Sequence, residues 1–333
     1  MPTHGVSMVC LNLKQNLTVL LRQCAVWLAL SAPAAGVAQS CPPLPAALTP
    51  QQIQTLTRDA KDRGFLWKIE KDGRAGYLYG SMHLGKQAWA VPGPRTLAAL
   101  TASEVVALEL DILDPSIQAQ MADPSRFGIK PVVLPSALQM RMNAFARKVC
   151  LPPAALTKQH PLLQLVAVTL FDARFSGLEI GYGSEIFLAD FARTVGKPVI
   201  GLETAESQMR VLLQGDAAET IASVDRGLMI VEQGKSRAVN RRMADAWAEG
   251  NLADLENYQQ WCECVETRAD RKALQRLNDE RNPGLAAGID KLMRGNQSLF
   301  AAVGALHMTG PKALPKLMQE LGYQVERVVF DRF

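Results

Sequence analysis

The segment GSEIFLADFARTVGKPVIGLET, Gly183 to Thr204, is where the architecture can be read. It gives a helix, a Gly-Lys-Pro stop at 196–198 and a strand ending at Glu203, because glycine closes helices and proline cannot continue them. A helix feeding directly into a strand is the building unit of an α/β fold. The chain's end repeats the alternation, with SLFAAVGALH as strand, PKALPKLMQELG as helix and YQVERVVF as strand. Upstream, FLWKIE and AGYLYGSMH flank the turn signal KDGR and predict a hairpin. EVVALELDI, Glu104 to Ile112, is the short apolar run of a buried strand. Residues 115–175 and 205–295 read mainly as amphipathic helices, and no low-complexity linker divides them from the strands. The expectation is a single α/β domain over residues 39–333, a mixed sheet flanked by helices with a large helical insertion in the middle.

The first 38 residues stand apart. Lys14 and Arg22 flank the apolar stretch Cys24 to Ala38, which ends in the small-x-small pattern Gly36-Val37-Ala38, the form of a cleaved secretory signal peptide. The apolar run is short for a membrane span and contains Pro33, and Gln39 stands where a lipoprotein signal needs a small residue before Cys41. The protein is therefore expected to be exported, periplasmic or extracellular, with no stable membrane span after cleavage. Removing Lys14 and Arg22 from 36 basic residues leaves 34 against 32 acidic ones, a balance that gives no reason to expect a nucleic-acid partner. Cys41, Cys150, Cys262 and Cys264 remain, an even number suited to two disulfides in an oxidising compartment. The CxC pair is awkwardly close for bonding to itself, so at least one member is expected to bridge to Cys150 or Cys41.

The chain holds only four histidines, and two occupy the same local setting 224 positions apart. In YLYGSMHLGK and FAAVGALHMTG an apolar run leads to glycine, two residues, His83 or His307, and another glycine. Both lie at predicted carboxyl ends of strands, where the loops of α/β sheets form ligand-binding crevices. Two imidazoles and a carboxylate make a divalent-ion site with positions open for water and substrate. Glu109, following the buried-looking VVALEL, is the obvious carboxylate, since a charge there needs a cation or an arginine. Asp111 is a second ligand, an orienter of a histidine, or a helix N-cap before Pro115. His160 lacks the glycine context and flanks a helix, and Met82 and Met308 beside the two histidines are expected to pack.

These segments, together with NDERN and GLETAESQ, resemble the TraB/GumN group, which includes the animal Tiki metalloproteases; the likeness covers nearly the whole mature chain. The resemblance implies a metal-dependent peptidase or related hydrolase, with manganese or cobalt implicated in Tiki-like members. It carries His83, Glu109 and His307 over as metal or catalytic residues and Arg281 as an active-site cation. Where members often read Gly-x-Asp this chain has Gly183-Ser184-Glu185, which keeps a carboxylate on a longer side chain. The mechanism so implied has His83, Glu109 and His307 holding a divalent ion (Mn, Co or Zn) whose bound water attacks a peptide or ester carbonyl. Glu185 or Glu203 serves as general base, and Arg281 stabilises the oxyanion or holds a substrate carboxylate. Two alternatives remain: a metal-independent His/Glu esterase-like hydrolase, and a non-catalytic exported protein binding peptide, haem or metal. The substrate is a peptide or small molecule.

Overall fold

The expected hairpin is formed by β1 (Phe65–Lys71) and β2 (Arg74–Ser81). Asp72 and Gly73 both take positive φ, 52° and 73°, the backbone a two-residue turn needs if its twist is to match the flanking strands. The structure, a computed structural model, describes residues 40–46, 48–295 and 297–331; the predicted signal peptide, residues 1–38, lies outside the described residues. Four further strands, β3 (Val105–Leu108), β4 (Val199–Gly201), β5 (Leu299–Gly304) and β6 (Gln324–Val328), complete one sheet of order β4-β3-β5-β2-β1-β6. β4, β3, β5 and β2 run parallel, while β1 is antiparallel to both neighbours, so the sheet is mixed.

Composition follows position. Parallel strands covered on both faces read as continuous apolar runs, and β3 is buried at every residue, as is β5 up to Val303. β3 ends at Leu108, short of the run read from the sequence, so Glu109 is the first residue beyond the strand. Around the sheet lies the main core, with Phe65, Leu78, Leu100, Ile289, Phe300 and Met318 fully buried.

The Gly-Lys-Pro stop works as expected. Helix Ser184–Thr194 closes through Val195 N–H to Phe191 O and Lys197 N–H to Ala192 O. Lys197 Nζ then donates to the carbonyls of Leu100, Thr101 and Ser103, capping the end of helix Pro94–Ala102. The helical insertion has its own core. Met142, Phe145, Val168, Val224 and Leu228 come from helices Ser136–Lys148, Pro161–Ala173 and Ala217–Glu232, on both sides of β4 in the chain. Their apolar stripes bury against one another rather than against the sheet.

The cysteines correct one expectation. All four that follow the predicted cleavage point are disulfide-bonded, and Cys262 and Cys264 bond to each other. The CxC pair closes because Glu263 between them takes a positive φ of 50°, folding the backbone until the two Cα atoms are 5.1 Å apart. That lies within the ordinary disulfide range. Among the described residues no helix is long and apolar enough to cross a membrane.

Candidate functional site

The parallel strands end together. Ser81 of β2 pairs with Gly304 of β5, and Leu108 of β3 pairs with both Ala302 and Gly201. His83, His307, Glu109 and Glu203 each follow one of these four strand ends within three residues, so the topology delivers them to one edge of the sheet. Helices bring the other two: Glu185 sits in the first turn of helix Ser184–Thr194, and Arg281 immediately precedes helix Asn282–Arg294. The six residues named from the sequence are thus assembled in one place. The cleft above them, about 240 Å³, is lined by His83, Glu109, Glu185 and Arg281. A larger groove of about 800 Å³ runs between residues 61–63, 248–251 and 327–331, and none of the six lines it.

Gly304 explains why glycine precedes His307. Its N–H donates to Glu109 Oε1 at 2.7 Å. A Cβ there would lie 3.1 Å from that oxygen, 3.7 Å from His307 Cδ2 and 3.8 Å from His83 Nε2, so both imidazoles and the carboxylate crowd the side a side chain would fill.

On the β5 side every polar atom is spoken for. Asn282 Nδ2 donates to the carbonyls of His307 and Lys312, which turns its Oδ1 toward His307 Nδ1. The Nδ1–H therefore donates to Asn282, and the lone pair on Nε2 accepts from Arg281 Nη1 at 3.1 Å. Burial pushes the His307 imidazole down to about 4, with the adjacent guanidinium helping against the opposing carboxylates, so it is neutral at pH 7. Arg281 spends all five N–H groups: Nε and Nη2 on Glu203, Nη2 also on Glu109, and Nη1 on Leu277 O and His307. Gln208 Nε2 reaches Glu203 at 2.9 Å and Glu109 at 3.3 Å and completes the clasp. Burial alone would raise the Glu109 carboxyl; the two imidazoles, Arg281 and the Gly304 N–H hold it down to about 2.

The β2 side is built differently. Ser184 accepts from Met82 N–H through its hydroxyl and donates its own N–H to Met82 O, stitching the loop after β2 to the start of the helix. Glu185 then accepts from Ser81 Oγ at 2.6 Å and faces His83 Nδ1 at 2.8 Å, both through Oε1. The Glu185 carboxylate raises the His83 imidazole above its ordinary 6.5. His83 is 65% exposed, against 6% for His307, and lines the cleft.

Several expectations change in detail. Asp111 is not the N-cap before Pro115, which is Asp114; it pairs with Arg193 and accepts from Leu113 N–H. Helix Ala205–Leu212 is capped by Thr204, leaving Glu203 to Arg281. With its five N–H groups engaged, Arg281 in this arrangement has none to offer an oxyanion. His160 is the N-cap of helix Pro161–Ala173, as expected of a helix-flanking residue, and Met308 is buried in the main core.

For a divalent ion the donor types are suitable, but those of Glu109 and His307 are engaged by other groups. Arg281 holds Glu109 Oε2 and His307 Nε2, and among the described residues no three His, Cys, Asp or Glu side chains are grouped to hold a metal. As arranged, the residues do not fit a bound ion, since the guanidinium already supplies the positive charge Glu109 needs. Ser81, Gln208 and Asn282 were missed by sequence reasoning. Asn282 follows Arg281 in NDERN and Gln208 closes GLETAESQ, but neither segment marks which distant carboxylate or imidazole its amide will meet.

The family model described as the TraB/PrgY/gumN family matches residues 65–327. The chain belongs to the TraB/PrgY/gumN family. Within it, the chain is similar to the uncharacterized protein YbaP of Shigella flexneri, 26% identical over 284 residues, covering 80% of this chain and 98% of the relative. The YbaP of Escherichia coli (strain K12) matches to the same extent. No solved structure matches. The family match begins at Phe65, the first residue of β1, and ends at Arg327 in β6, so it takes in the entire sheet but for the last residue of β6.

Proposed function

We propose that this protein is an exported hydrolase of peptide or ester carbonyls in which His83 moves the proton. The observation that supports this is the chain Ser81–Glu185–His83: a buried carboxylate, fixed by a hydroxyl, faces Nδ1 of an exposed imidazole that lines the cleft. A carboxylate on Nδ1 sets the tautomer and stabilises the imidazolium formed when Nε2 takes a proton. In the proposed step neutral His83 removes a proton from water as the oxygen attacks the carbonyl, then returns it to the leaving group. Glu109, Glu203, Arg281 and His307 form a rigid, internally hydrogen-bonded support beside His83. Disulfide bonding of the cysteines supports an oxidising, exported setting.

The test is cleavage of a diverse peptide and ester library by wild type, His83→Ala and Glu185→Gln, before and after dialysis against a chelator. The proposal expects turnover that survives dialysis and falls by about 10²–10⁴-fold in His83→Ala. Activity that vanishes with chelation and returns with manganese, cobalt or zinc instead supports a divalent ion at His83, Glu109 and His307, with Arg281 displaced. A library left intact by a folded wild type contradicts hydrolysis and favours a binding protein.

A further inference from the structure

The cleft beside His83 has walls that the proposed proton transfer does not use. Leu110 and Ile112 follow β3, Val211 and Leu212 end helix Ala205–Leu212, and Leu277 ends helix Arg268–Leu277; all five line the cleft with Ala302. Ile112, Val211 and Leu277 are only half-buried and Leu212 is 36% exposed, so apolar surface faces water directly over a charged floor. The charged groups that line the cleft are Glu109, Glu185, Arg281 and His83, carboxylates and basic groups in equal number. At about 240 Å³ the space falls below the roughly 300–1,000 Å³ of pockets that hold drug-sized ligands. It suits one compact group plus the carbonyl that carries it.

We propose that this wall is a specificity pocket for a single uncharged aliphatic side chain of the substrate, of leucine size, next to the bond that reacts. The inference rests on the reading of the cleft as the place where the carbonyl sits. Aliphatic burial against Ile112, Val211, Leu212 and Leu277 drives the selection, as loss of apolar area from water does in any small pocket. An acidic side chain is refused by the cost of desolvating its charge against the wall.

The experiment is titration of the wild-type protein with N-acetyl-leucinamide, N-acetyl-alaninamide and N-acetyl-aspartic acid amide, following the His83 ring resonances. The leucine compound is expected to bind at least about tenfold more tightly than the alanine compound, the discrimination apolar pockets give per methylene or two, and the aspartate compound is expected not to bind measurably. Leu212→Asp, at an exposed position that folding tolerates, should abolish the preference, and Leu277→Ala should weaken it. Equal affinity for leucine and aspartate compounds, no resonance shift with any of them, or an unchanged preference in Leu212→Asp overturns the inference. Because binding is read without turnover, a protein that prefers leucinamide yet cleaves nothing disproves the hydrolase reading and leaves the pocket standing.

Discussion

His83 and His307 share a sequence pattern and sit on adjacent strand ends, yet the fold makes them opposites. His307 lies within a cage of Asn282, Arg281 and its own helical turn, nearly sealed from water and neutral. His83 stands at the rim, mostly exposed, with a buried carboxylate raising its proton affinity. The same Gly-x-x-His spacing thus fixes where an imidazole emerges but not what it does there. What differs is burial, which keeps the His307 ring neutral, and the carboxylate on Nδ1 of His83, which favours the charged ring.

Replacing each histidine is the hardest test of that contrast. His83→Ala is expected to lower kcat/KM by about 10²–10⁴-fold, the usual share of a general base, with a smaller loss in urea unfolding than His307→Ala because Glu185 keeps the Ser81 hydroxyl. His307→Ala should instead cost about 2–4 kcal/mol in urea unfolding, because it leaves Asn282 and Arg281 unpaired around a cavity. Equal stability loss in both variants would break the comparison. Arg281→Ala sharpens it on the β5 side: two buried carboxylates lose their cation, and stability should fall by about 3–5 kcal/mol in the same assay. Arg281→Lys should rescue little, since an ammonium cannot reproduce the five-pronged geometry.

Glu185→Gln acts on the β2 side through pH. With Glu185 charged, His83 is held protonated past its ordinary value, so the neutral base appears, and the rate rises, only as pH climbs through the raised pKa. Removing the charge lowers that pKa, and the rising limb of kcat/KM should move to lower pH with a smaller plateau. A limb that stays in place would detach His83 from Glu185. Ser81→Ala has the smallest expected effect, about tenfold or less in kcat, because it removes one hydroxyl bond from a carboxylate that keeps its imidazole partner.

Local chemistry made much of this legible. Asp72-Gly73 announced the hairpin, the apolar runs of β3 and β5 announced buried parallel strands, and Gly196-Lys197-Pro198 announced a helix end. Glu109, His83 and His307 could be singled out because polar residues at the ends of buried runs need a reason. The order of strands could not be read, since parallel neighbours such as β2 and β5 are 223 residues apart at their paired Ser81 and Gly304. Nor could the partners of Arg281, where five hydrogen bonds join four separate segments of the chain. The Cys262–Cys264 bond was hidden for a more local reason, because nothing in the sequence reveals that Glu263 turns to positive φ.

With four histidines in the chain, the imidazoles can be titrated individually by nuclear magnetic resonance on histidine-labelled protein, assigned through His83→Ala and His307→Ala. Two rings of one pattern should part widely, His83 gaining its proton above pH 6.5 and His307 staying neutral until the pH approaches 4. Both rings titrating together near 6.5, or His307 above His83, would contradict the assignment of proton transfer to one and of structure to the other.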